Sequence, residues 1–277
     1  MSKKAVKEYV VRNTGEVLRE DELLIINNES SNDNNFGNFQ NSNKIIYDLG
    51  GNYFHMLFNR ILEKNFKENY AIRFLKLCTY MNYDNILVEG NTSGQRKVRE
   101  KDLKRILRLS DKETRNTKKY LLENKLIAID NDCVISINKE YCMKGNIKGS
   151  PEVVRVFQNG FGELYNQVSA RQHKILFNFI RCLPYLNKDF NILCKNPLEN
   201  DKTLIKPLSF GEVGKKFGLD TIQTSKLKAK LFRLRIKNKK VVAEWIDDNK
   251  RMIIINPIIF WKSNKNTISD VSKIFDI

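Results

Sequence analysis

From Lys44 onward the apolar residues switch repeatedly between a helical and an extended spacing. The runs AIRFLKLCTYM and HKILFNFIRCLPYL each carry apolar residues on one helical face. Each leads into a closely matched segment, YMNYDNIL from Tyr80 to Leu87 and YLNKDFNIL from Tyr185 to Leu193. With one inserted residue these share Tyr-x-Asn-x-Asp followed by Asn-Ile-Leu, and a cysteine stands just ahead of each. The chain reads as one unit written twice.

The segments downstream of the two matches reinforce the repeat. In the first unit, REKDLKRILRL places Leu103, Ile106 and Leu107 on one face and stops at Ser110. Ser110 and Glu113 have capping-box spacing, with the hydroxyl accepting from the Glu113 amide and the carboxylate reaching back. In the second unit, Ser209 and Glu212 repeat that spacing, Gly218 closes the helix, and Asp220 with Gln223 opens the next. Two capped helices with a three- or four-residue turn between them spell helix-turn-helix. Each second helix runs into two β-rich stretches: LIAIDNDCVISIN around Asp130-Asn131-Asp132, and VVAEWIDDNKRMIIIN around Asp247-Asp248-Asn249. Helix-turn-helix plus hairpin is a winged helix. The expected fold is therefore α+β, mostly α: two tandem winged-helix domains over 44–148 and 149–277. Ahead of them, YVVRNTGEVL predicts a small hairpin arm within 1–26, turning at Asn13-Thr14-Gly15. The Asn- and Ser-rich stretch 27–43 is too poor in aliphatic residues to order itself and reads as a flexible linker.

The second helix of each pair carries the candidate chemistry. In the second unit it begins at Thr221, and Leu227, Leu231 and Leu234 form the inward stripe. Thr221, Gln223, Ser225, Lys226, Lys228 and Lys230 then face outward, and the basic run continues through Arg233, Arg235, Lys237, Lys239 and Lys240 to the wing. In the first unit Thr114, Thr117 and Leu121 face inward, leaving Lys112, Arg115, Asn116, Lys118 and Lys119 outside. Arginine matches guanine and asparagine matches adenine by bidentate hydrogen bonding, so Arg115 and Asn116 are the expected base readers. The lysines are expected on phosphates. A lysine run on an amphipathic helix is often only a solvated face, but here it falls in both units on the helix that a winged helix inserts into DNA.

Composition agrees. Lys and Arg number 49 against 32 Asp and Glu, a formal net charge of +17, which favours a polyanionic partner. Five cysteines without a CxxC pair read as buried thiols in a reducing compartment, with no disulfide framework or zinc site. His55 and His173 lie far apart, so the paired-histidine metal motif of rolling-circle nucleases is missing. The glycines of GEVGKK and EGNTSGQRK lack phosphate-loop spacing. Trp245 and Trp261 sit in apolar runs and read as core. No catalytic residue, metal or cofactor is expected. MSKKAVKEYV lacks a signal-peptide core and no apolar run spans a bilayer, so a cytoplasmic protein without membrane contact is expected.

The second unit, from RVFQNGFGELYNQ through YLNKDFNIL to INPIIFWKS, resembles winged-helix proteins encoded by plasmids and phages of Firmicutes. Some of these are replication initiators and others are regulators. The first unit, LKLCTYMNYDNIL through ISINKEYCMKG, is similar to the winged helix of Firmicute plasmid replication proteins. It departs at INKEY, where the group usually has Asn-Pro and then an aromatic residue. Together the matches cover about Lys44 to Ser263. The resemblance implies a non-enzymatic protein that binds double-stranded DNA and initiates plasmid or phage replication at origin repeats. Host replication machinery and a second copy of the chain are further candidate partners. The alternative is a transcriptional regulator of a mobile element.

Overall fold

The computed structural model describes residues 8–10, 17–19, 51–90, 94–145, 152–247, 250–263, 265 and 267–275. The 27–43 segment lies outside them. At the N-terminus β1 (Glu8–Val10) pairs antiparallel with β2 (Val17–Arg19), Val10 opposite Val17. The turn expected between them also lies outside the described residues.

The rest is α+β, with small antiparallel sheets and nine α-helices among the described residues. The first half runs β3 (Tyr53–Leu57), α1 (Phe58–Glu63), α2 (Glu68–Cys78), β4 (Val88–Glu89), β5 (Arg96–Lys97), α3 (Leu103–Leu107), α4 (Asp111–Glu123), β6 (Ile127–Ile129), β7 (Ile135–Ile137) and β8 (Cys142–Met143). The second half runs β9 (Val153–Phe157), α5 (Gln158–Gln167), α6 (His173–Cys182), α7 (Phe210–Lys216), α8 (Thr221–Arg233), β10 (Arg235–Ile236), β11 (Lys239–Lys240), β12 (Val242–Asp247), β13 (Lys250–Ile255) and β14 (Phe260–Trp261). The last helix is α9 (Ile268–Lys273).

The halves meet in a four-stranded sheet of order β14-β9-β3-β8. β3 and β9 are antiparallel, with His55 opposite Arg155 at the middle of the ladder. On the outer edges Met56 faces Cys142 and Val156 faces Phe260. Exchanging β3 with β9 and β8 with β14 reproduces this pairing, so the halves are related by an approximate two-fold through the His55–Arg155 pair. α2 packs against α6, and one buried cluster draws residues from both halves.

The repeated Asn-x-Asp and Asn-Ile-Leu motif has a common structural job. Asn82 Oδ1 accepts from the amides of Asp84 and Ile86, and Asn187 Oδ1 accepts from those of Asp189 and Phe190. Asn85 (φ 63°) and Asn191 (φ 52°) both occupy the left-handed region that asparagine tolerates better than most residues. Their side-chain amides each donate to two buried carbonyls: Asn85 to Ile137 and Cys142, Asn191 to Ile255 and Phe260. The motif thus clamps the hairpin to the edge strand of the central sheet. The next leucines, Leu87 and Leu193, donate to Ile135 and Ile253 and lay a further extended segment beside each hairpin.

Asn138 and Asn256 repeat in the same way. Each side chain donates to the residue entering the hairpin region, Lys125 or Lys240, and accepts an amide two residues on, Glu140 or Ile258. The turn is held by asparagine in both halves, so the proline missing from INKEY is not needed for it.

The two hairpins differ in cover. In β6–β7, Ile127, Ile135 and Ile137 are buried while Ala128 is exposed, the alternation of a strand with one buried face. In β13, Met252, Ile253, Ile254 and Ile255 are all buried. Ile253 and Ile255 join the main core, and Met252 and Ile254 join a second cluster with Trp261, Val271 and Phe275, capped by α9.

Four of the five cysteines are buried, as expected; Cys133 is exposed in the β6–β7 turn, where its φ of 61° belongs to the turn. Trp261 is fully buried and Trp245 packs at the margin of the second cluster. No helix among the described residues is long and apolar enough to cross a membrane.

Candidate nucleic-acid interface

Helix α8 starts as its sequence predicts. Asp220 accepts from the Gln223 amide at 2.7 Å and Gln223 Oε1 accepts from the Asp220 amide at 3.2 Å. The turn before it passes through Gly218 at φ 70°, and at Gly214 in α7 a Cβ would sit 2.0 Å from Thr224 Oγ1. Glycine there lets the two helices cross this closely. Thr224, Leu227 and Leu231 are the buried face of α8. Leu234, expected in that stripe, is instead the half-buried residue that ends the helix, with extended backbone.

Thr221, Gln223, Ser225, Lys226, Lys230 and Arg233 are all exposed, off that buried face, as expected. Lys226, Lys230 and Arg233 have no ion-pair partner among the described residues. Besides Gln223, whose side-chain oxygen is taken up by the cap, two residues expected with them are already engaged. Lys228 Nζ lies 2.6 Å from Glu244 Oε1 on β12 and over the Phe232 ring at 5.3 Å. Arg235 folds back so that Nη1 donates to the Phe232 and Leu234 carbonyls at 2.6 and 2.9 Å, satisfying groups left open at the helix end. The reason is spatial in both cases: position 228 faces the hairpin, and position 235 comes after the last turn.

The first-half helix α4 is more tightly bound into the fold. Ser110 caps it by accepting from Glu113 N at 3.3 Å, but the Glu113 carboxylate does not return to the backbone as the spacing suggests. It accepts from Arg73 at 3.3 Å. Arg73 is buried on α2 and also donates to Thr117 Oγ1 at 2.9 Å and His173 Nδ1 at 3.4 Å. Burial, and then the Arg73 charge, push the His173 imidazole down to about 4, so it is a neutral acceptor. Lys118 pairs with Glu100 at 2.5 Å, Lys104 pairs with Asp111 at 3.0 Å, and Lys119 stands 3.8 Å from Glu123. Lys112, Arg115 and Asn116 remain exposed on the outer face. α4 carries four cations and three acids (Asp111, Glu113, Glu123), whereas α8 carries four cations and no acid. The stronger positive face belongs to α8.

Beside α8 lies a groove of about 820 Å³ between α7, α8 and the β12–β13 hairpin. Lys215 and Arg251 line it with Lys228 and Lys250, and of these Lys250 is held on the Thr203 carbonyl at 2.9 Å. Neither Lys215 nor Arg251 is predicted by a basic run on one helix, because they reach the groove from α7 and β13. The pair Lys250-Arg251 at the hairpin is the sequence signal that could have found Arg251. Ile222, 66% exposed in the first turn of α8, likewise lies outside the expected site.

Other chemistry is sparse. His55 is buried in β3 and pushed down to about 4 by desolvation and by Arg155. Among the described residues no group of three or more His, Cys, Asp or Glu side chains stands ready to hold a metal. No protein-family model matches the chain, and no curated protein or solved structure matches it significantly.

Proposed function

We propose that each half is a winged helix and that the protein binds double-stranded DNA in a sequence-specific manner, with α8 in the major groove and the β12–β13 hairpin against the flanking backbone. The observation that carries this reading is the outer face of α8. Lys226, Lys230 and Arg233 stand on it with no acid on the helix, at the end of a tight turn and beside a projecting hairpin. A major groove about 12 Å wide admits such a helix. Helix α4, with Lys112, Arg115 and Asn116 exposed on its surface, supplies a second contact. Because the halves are related by an approximate two-fold, two half-sites bound at once would run in opposite directions.

The biological role that fits is initiation of plasmid or phage replication at such sites, with recruitment of host replication machinery. This part rests on the sequence resemblance of both units. Selection of bound duplexes from a random pool, with hydroxyl-radical footprinting of the winners, tests the binding. The expected result is one enriched motif protected on the face that α8 contacts; no enrichment, or protection that survives the loss of Lys226, Lys230 and Arg233, overturns it. For the role, a plasmid whose only origin is a cluster of the selected sites should be maintained when this protein is supplied. Failure to replicate alongside repression of an adjacent promoter would identify a regulator instead.

A further inference from the structure

The outer ridge of α8 is not uniformly cationic. Viewed down the helix, the residues opposite the buried Thr224, Leu227 and Leu231 are Ile222, Lys226, Ala229 and Arg233, spaced by four, three and four. Ile222 is 66% exposed and Ala229 is exposed, so the centre of the ridge is apolar, with Lys226, Lys230 and Arg233 around it. Leaving an isoleucine so exposed forgoes most of the stabilisation its burial could supply. The corresponding positions of α4, counted from the Ser110 cap as these are from Asp220, are Lys112 and Lys119. Of these two helices, only α8 has apolar residues at the two positions.

In the major groove one base feature is apolar, the C5-methyl of thymine, which side chains such as alanine contact directly. Ala229 follows Ile222 by seven positions, a rise of about 10.5 Å along the helix, the length of about three base-pair steps. We infer that Ile222 and Ala229 read thymine methyl groups at two positions about three base pairs apart in the target. This rests on the DNA-binding reading above and names what the bound sequence contains. The flanking cations hold phosphates and set the register that brings the ridge to the bases.

Uracil is thymine without the methyl group, so it isolates the contact. In the selected duplex each thymine is replaced singly by deoxyuridine, and affinity is measured by fluorescence anisotropy for the wild type, Ile222→Ser and Ala229→Ser. The expected result is a loss of about fourfold at each of two positions about three base pairs apart, the worth of one buried methyl group. Ile222→Ser should abolish the first sensitivity only and Ala229→Ser the second only. Salt-dependent binding that is indifferent to every uracil overturns the inference and leaves DNA binding standing. A change in oligomeric state in Ile222→Ser with unchanged DNA affinity assigns the ridge to a second copy of the chain and also overturns it. Absence of binding to any duplex removes both readings.

Discussion

Replacing Lys226, Lys230 and Arg233 together by alanine strips the outer face of α8 of the cations that have no ion-pair partner among the described residues, while leaving the buried stripe of Thr224, Leu227 and Leu231 intact. Each cation that neutralises a phosphate releases counterion, and the logarithm of the binding constant then falls with the logarithm of salt by about 0.9 per contact. Three lost contacts should flatten that dependence by about 2.7. Between about 50 and 200 mM salt, the wild type should lose about 40-fold more affinity than the triple variant. Lys228→Ala is the internal comparison. Its ammonium already lies 2.6 Å from the Glu244 carboxylate, so removing it should flatten the slope by much less than Lys230→Ala does. Anisotropy titrations of a labelled duplex across a series of salt concentrations measure the slopes, with circular dichroism to show that the variants are folded. A triple variant with the wild-type slope would refute the placement of these residues on phosphates. Equal effects of Lys228→Ala and Lys230→Ala would refute the claim that the Glu244 pair silences Lys228.

Particular contacts give three further outcomes. Glu244→Gln releases Lys228 to the groove and should steepen the salt slope by about 0.9, read in the same titrations. Asn191→Ala leaves two buried carbonyls without a donor and places alanine at φ 52°. Urea unfolding should show a loss of about 3–5 kcal/mol, with Asn191→Gly about 1 kcal/mol milder because glycine accepts that backbone. His55 and His173 are held neutral in the folded chain, down at about 4 from 6.5, so the unfolded chain takes up protons first as pH falls. Stability should be full above about pH 6.5 and decline towards pH 4, by about 3 kcal/mol for each histidine. Unfolding of the His55→Phe, His173→Phe double variant should lack that decline, and an unchanged pH profile would refute it.

Local signals in the sequence were enough for most of what depends on neighbours along the chain; Glu113, drawn from the Ser110 cap to the distant Arg73, is the exception. Ser209 and Glu212, and Asp220 and Gln223, mark helix starts because a cap is a contact three residues long. Asn85 and Asn191 stand at matching places in the two repeated segments because the same turn needs the same residue in both halves. The inward stripe of α8 was legible through Leu227 and Leu231, and failed only at Leu234, where the helix had already ended. The central sheet was not legible: β3 and β9 lie far apart in the chain and pair through backbone groups that every sequence carries. Nor were the fates of individual cations. Lys228 and Lys230 look alike in sequence, but only the folding of β12 against α8 puts Glu244 beside one and leaves the other without an ion pair among the described residues. Which charges are available to a partner is decided by long-range packing, since a charge is neutralised by what lies next to it in space.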